Sequence, residues 1–251
     1  MSFIITAYVR EGIVMASDSR LSLTTTEEIK NDAHHTTINH ICVGQSDFSY
    51  KTFLALKKCG ISTFGQADVQ GVPIAGFIES FIDTLPKDEH FNIRDVPSRI
   101  VEFFQKLPGP PDTGFHIAGY EAVNDQLRQA LWRVSIPKGE IIENNGTGKG
   151  GQGVSWDGEP DVFGRLVKPV ALQVAKEKFQ PYPVHKIPYE FFTLQDAIDF
   201  CIYAIRTTID TMRFQNRPKT VGDPIDVLVI KPNEAFWIQR KTLHGEQKNN
   251  G

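Results

Sequence analysis

The chain has 251 residues, 40% hydrophobic and 23% charged, with a formal net charge of −3 at pH 7. That composition suits a soluble globular protein with enough apolar material for a sizeable core, and it lacks the basic excess that would make nucleic acid a main partner. Cys42, Cys59 and Cys201 are far apart and form no CxxC pair, which excludes a disulfide framework or zinc site and leaves buried thiols; no metal or cofactor is expected.

The opening MSFIITAYVREG has neither a basic n-region nor a long apolar run, and no stretch approaches the ~20 apolar residues of a membrane span. The expectation is a soluble, cytoplasmic protein with no membrane partner. Residues 2–9, rich in β-branched and aromatic side chains, a turn at Arg10-Glu11-Gly12 and residues 13–17 predict a β-hairpin, apolar enough for a sheet covered on both faces. Residues 21–45 are polar, Thr-rich and weakly periodic, and predict an excursion from the core, an insertion over about 21–50. Residues 51–56 and 61–64 predict two strands around a turn.

Ile74, Phe77, Ile78, Phe81, Ile82 and Leu85 share one face of a 3.6-residue period, so a helix is predicted there. Asp95 as N-cap and Pro97 in the first turn open a second helix, which ends at the Pro-Gly-Pro-Pro run 108–111. Strands are predicted around 115–120, 130–136 and 140–143, followed by a Gly-rich loop at 145–153. A helix is predicted within 164–178. A stronger one over 193–214 opens at Thr193 and turns Leu194, Ala197, Ile198, Cys201, Ala204, Ile205 and Ile209 inward. Strands over 225–230 and 235–240 close the chain, and 244–251 reads as a frayed polar tail. This order predicts an α+β fold, a four-layer αββα sandwich in a single domain over 1–243.

The run 2–20, SFIITAYVREGIVMASDSR, resembles the start of mature proteasome β-subunits and their bacterial relatives, members of the N-terminal-nucleophile (Ntn) hydrolases. In them an N-terminal Thr is followed sixteen positions later by an Asp; here Asp18 follows Ser2 by sixteen, and Arg20 matches the family's Arg. ISTFGQADVQG at 61–71 resembles the segment whose glycine supplies the oxyanion N–H, which gives Gly65 that role. The family's lysine lies fourteen residues earlier, at Lys51. TVGDPIDVLVI at 220–230 resembles the family's turn into a late strand. The resemblance implies that Thr220 and Thr147 support the site, that Thr63 and Ala67 line the substrate pocket, and that the chain assembles into a homo-oligomer, a ring among the options. An acidic residue expected within 217–222 is missing.

The chemistry stands without the family. A hydroxyl needs a base to take its proton, and an N-terminal residue carries its own in the α-amine. That amine has an unperturbed pKa of about 7.7–8.0, and a nearby Lys51 ammonium would favour its neutral form. Asp18 would hold Lys51, and the Gly65 N–H would face the oxyanion. Ser at position 2 has the hydroxyl without the methyl that restricts threonine's rotamer. The expected function is hydrolysis of peptide bonds by Ser2 after removal of Met1. A catalytically silent assembly or binding subunit, and an amidase acting on small amides, stay open as alternatives.

Two other motifs carry less. Gly146–Gly151 formally fits GxGxxG but leads into VSWDGEPD, which does not open a helix, so a nucleotide site is not expected. His34, His35 and His40 cluster within the insertion without matching zinc-ligand spacing and read as a solvated loop.

Overall fold

The computed structural model describes residues 2–30, 36–88, 91–124, 126–145 and 151–244. In chain order the first strands are β1 (Phe3–Val9), β2 (Gly12–Ser17), β3 (Leu21–Lys30), β4 (Thr36–Ser46), β5 (Thr52–Ala55), β6 (Cys59–Gly65), β7 (Asp68–Val69) and β8 (Val72–Pro73). Helices α1 (Ile74–Thr84) and α2 (Val96–Gln105) precede β9 (Thr113–Val123), β10 (Gln126–Ser135), β11 (Glu140–Glu143) and β12 (Gly153–Gly158). Then come α3 (Asp161–Val167), β13 (Ala171–Ala175), β14 (Lys178–Pro181), α4 (Leu194–Phe214), β15 (Asp226–Ile230) and β16 (Ala235–Gln239). The fold is α+β, and its sheets are antiparallel.

One sheet runs β12-β1-β2-β15-β16 and the other β11-β10-β9-β6-β5. Three buried clusters divide the apolar side chains. Phe3, Ile5 and Ala7 of β1, with Val14 and Ala16 of β2, pack against Ala197, Cys201, Ala204 and Ile205 of α4 and Phe163 of α3. Phe53, Ile61, Phe115, Ile117 and Trp132 of the second sheet pack against Ile78 and Phe81 of α1 and Ile100 and Phe104 of α2. The remaining cluster joins the sheets: Ile13, Met15, Leu228 and Ile230 from one meet Ala118 and Leu131 from the other. Strands β1 and β2 thus bury both faces, which is why they read as continuous apolar runs rather than alternating ones.

The helix predicted from 74 matches α1, and Thr193 caps α4 in a full capping box with Asp196. Asp95 precedes α2 as predicted but makes no side-chain cap bond; a short 3-10 turn, Ile93–Asp95, occupies that corner instead. The helix predicted within 164–178 is met only over its first residues and starts earlier, at Asp161. Helix α3 stops at Val167, and the hairpin β13–β14 takes the rest. Pro169 cannot continue the helical ladder, and Val170, Leu172 and Val174 alternate with a period of two beyond it. The polar excursion after residue 21 is also regular: β3 and β4 pair with each other and, among the described residues, with no other strand.

Candidate active site

Ser2 precedes β1 and is 3% exposed. The backbone around it is held from two sides. The Glu159 N–H donates to the Ser2 carbonyl at 2.9 Å, and the Phe3 N–H donates to Asp18 Oδ1 at 2.9 Å. Gly158, opposite Phe3 in the register, has φ +101°, and a Cβ there would run into the Ser2 carbonyl oxygen, so only glycine lets β12 approach this closely.

Asp18 follows β2 and is fully buried. Its Oδ1 also accepts from Lys51 Nζ at 2.6 Å, and its Oδ2 accepts from the N–H groups of Arg20 at 3.0 Å and Gly222 at 3.1 Å. Four donors, from residues 3, 20, 51 and 222, therefore converge on one carboxylate. Lys51, 2% exposed, donates in addition to the Arg20 carbonyl at 2.6 Å. Burial pushes its ammonium below the ordinary lysine range; the charge and hydrogen bond of Asp18 oppose that shift, and Lys241 and Arg20 add to it. The Arg20 guanidinium turns away to grip Asp47 through Nε at 2.6 Å and Nη2 at 2.9 Å.

Gly65 ends β6 with φ +95°, and a Cβ would lie 2.6 Å from the Asp112 carbonyl oxygen. Its strand is tied to the lysine directly, because the Thr63 N–H donates to the Lys51 carbonyl at 2.9 Å. Thr63 is 3% exposed, and its hydroxyl lies 3.2 Å from that of Thr113, whereas Ala67 is half-buried. Beside Lys51 runs a buried hydroxyl chain: Thr52 Oγ1 lies 2.9 Å from Ser17 Oγ and 2.9 Å from Ser62 Oγ. Ser2, Asp18, Arg20, Lys51 and Gly65 thus lie on segments that these bonds join. Thr147 and Met1 lie outside the described residues, as do His34, His35 and the loop 146–150.

Thr220 leads to a residue that the sequence did not disclose. Its hydroxyl donates to Glu159 Oε1 at 2.9 Å, and Arg217 Nη2 donates to Glu159 Oε2 at 2.8 Å. Arg217 also grips Asp161, at 2.6 Å. Glu159 thus brings a buried carboxylate to Thr220, while its backbone N–H holds the Ser2 carbonyl. No fixed spacing relates Glu159 to the other residues; the only local signal is the acidic run after Gly158.

Two further buried clusters also went unread. Asp226 accepts from both the N–H and Nζ of Lys241. His116 of β9 has Thr6 Oγ1 3.0 Å from Nδ1 and Asp157 Oδ2 2.9 Å from Nε2, and Arg133 donates to the same carboxylate at 2.7 and 2.8 Å. This hydroxyl–imidazole–carboxylate chain spans the two sheets. Thr6 and His116 are fully buried, so it serves as an inter-sheet link with no access for a substrate. Cys59 and Cys201 are buried, which pushes both thiols up to about 12 and makes them inert packing groups. Among the described residues no group of three or more His, Cys, Asp or Glu could hold a metal ion, and no helix is long and apolar enough to cross a membrane.

The architecture defines a fold class: that of the solved Anbu structures. The chain is similar in fold to Anbu from Hyphomicrobium sp. strain MC1. A Gly-1 mutant of Anbu matches with a TM-score of 0.57 at 15% identity, over 96% of this chain and 86% of that one. A second Anbu structure from the same strain matches with a TM-score of 0.55 at 12% identity, over 96% and 88%. No family model and no curated protein matches the chain. The proteasome β-subunit membership implied by the opening motifs is therefore corrected. The structural similarity found is to Anbu, and at these identities it concerns the fold alone. A few residues at fixed spacing describe a site, and they do not by themselves assign a family.

Proposed function

We propose that the chain is an N-terminal-nucleophile amide hydrolase that cleaves peptide bonds with Ser2 Oγ once Met1 is removed. The observation that carries this reading is the sharing of Asp18 Oδ1 between Lys51 Nζ at 2.6 Å and the Phe3 N–H at 2.9 Å. One carboxylate thereby fixes a buried cation beside the residue that follows the nucleophile. The freed Ser2 α-amine takes the proton from Oγ, and Oγ attacks the substrate carbonyl. The Gly65 N–H receives the oxyanion, and the departing amine collects the proton. Water, activated by the same α-amine, then hydrolyses the ester left on Ser2. Lys51 keeps that amine neutral through like-charge repulsion, Asp18 pairs with Lys51, and Arg20, Thr220 and Thr147 support the site. Thr63 and Ala67 line the substrate pocket, and their small uncharged side chains suit an apolar or neutral substrate group.

The accompanying architecture is an αββα sandwich of four layers in one domain over 1–243, which the three separate buried clusters support. A cytoplasmic location and a homo-oligomeric assembly complete the reading. A panel of fluorogenic peptides and simple acyl amides tests it, using wild type and Ser2→Ala. The expected result is peptide turnover that falls at least about 10³-fold in Ser2→Ala, as for loss of a nucleophile. Turnover of small amides alone would point to an amidase. No turnover of either class by chains that have lost Met1 would leave a silent subunit of the same fold.

A further inference from the structure

The hairpin β13–β14 and its flanks form an arm. Every residue from 168 to 186 is exposed, and among the described residues the hairpin pairs with no other strand. Yet Leu172, Val174, Phe179, Tyr182 and Val184 are 47–62% exposed within it. A two-stranded hairpin alone is marginal in water, and contiguous exposed apolar side chains mark an interaction surface. The register gives this surface its form. Leu172 is opposite Gln180 and Phe179 is opposite Gln173, so Leu172 and Phe179 point to opposite faces of the ribbon. A hairpin apolar on both faces suits insertion between two surfaces; a lipid surface would cover only one.

Charge selects the occupant. Lys168, Lys176, Lys178 and Lys186 stand against Glu177, so the arm carries +3 while the whole chain carries −3, which leaves −6 on the remaining residues. Two arms repel each other, whereas an arm and the body of another copy attract. We infer that the arm 168–186 is an assembly element that docks onto the body of a second copy of this chain. The contact is either exchanged reciprocally in a two-fold pair or repeated head to tail. This inference rests on the homo-oligomeric assembly proposed above and is independent of the hydrolase chemistry.

Sedimentation velocity of the full chain over a rising micromolar range tests it. Wild type is expected to self-associate in a concentration-dependent way, more weakly as salt rises. The triple variant Leu172→Ser/Val174→Ser/Phe179→Ser should bind itself at least about tenfold more weakly. Lys176→Glu/Lys178→Glu should weaken association and blunt its salt dependence. Phe214→Ser, altering an 83% exposed side chain at the end of α4, should leave association unchanged. Melting temperatures should match wild type, since the substituted side chains are exposed and the hairpin pairs with no other strand among the described residues; if the triple variant melts early, the charge-reversed variant decides. Wild type monomeric at every concentration, or a triple variant that associates like wild type, would overturn the inference. Monomeric protein that instead floats with phosphatidylserine vesicles through the arm would replace it with a lipid surface.

Discussion

The Asp18–Lys51 and Asp226–Lys241 pairs are both buried and lie side by side, for Asp226 is opposite Ser17 in the register of β15 on β2. Their surroundings differ. Asp18 accepts from the N–H groups of Phe3, Arg20 and Gly222 besides Lys51, and so ties together segments up to 204 residues apart. Asp226 takes its charged partner and its N–H from the same residue, Lys241, and the Lys241 ammonium also sits 4.6 Å from the Tyr50 ring centroid. A carboxylate satisfied by one neighbour latches a single strand end. One satisfied from four places fixes a three-dimensional arrangement, as a reaction requires. Burial depresses both lysines, and each aspartate opposes the shift, so burial alone does not set the two apart.

Replacing each pair with apolar side chains breaks the comparison most sharply. Asp18→Leu/Lys51→Met strands three backbone N–H groups and the Arg20 carbonyl, and should cost about 3 kcal/mol or more in urea unfolding at unchanged slope. Peptide turnover should vanish with it. The inter-sheet cluster is the intermediate case. Burial pushes the Asp157 carboxyl up, but hydrogen bonds and charge from His116 and Arg133 outweigh that and hold it below the usual carboxylate range. Since the folded value lies under an unfolded one of about 3.9, its contribution is complete above that pH and is lost as pH falls through the folded value. Asp157→Asn should therefore cost about 2 kcal/mol at neutral pH and flatten the acid limb of the stability curve; a limb as steep as wild type would remove Asp157 from the account. The smallest effect is expected for Asp226→Leu/Lys241→Met, about 1–2 kcal/mol, because apolar groups can replace the ion pair itself and only one backbone N–H, that of residue 241, is stranded instead of three. Equal losses for the two double variants would erase the distinction.

This contrast also bears on what could be read from the sequence. Ser2, Asp18, Lys51 and Gly65 are legible together because the runs 2–20 and 61–71 resemble those of a known family; their spacing alone does not bring them together. Helix α1 and the Thr193 cap are legible because a 3.6-residue period and a capping box are local signals. Glu159 was not, since its bonds to Thr220 and Arg217 span 61 and 58 residues and depend on how β12 meets β1. Asp226–Lys241 and His116–Asp157 were missed for the same reason: strand pairing and sheet stacking bring them together. The hairpin beyond Pro169 was a misreading of a different kind. A helix is predicted within 164–178, whereas α3 ends at Val167 and the apolar residues beyond Pro169 alternate and stay exposed.

Whether Ser2 is an activated N-terminal nucleophile is tested most directly by intact-protein mass spectrometry before and after an epoxyketone that reacts with a hydroxyl and α-amine on one residue. The account predicts loss of Met1 and a single adduct that is absent from Ser2→Ala. Retention of Met1 with no adduct would contradict it, and the fold would then serve binding or assembly instead of hydrolysis.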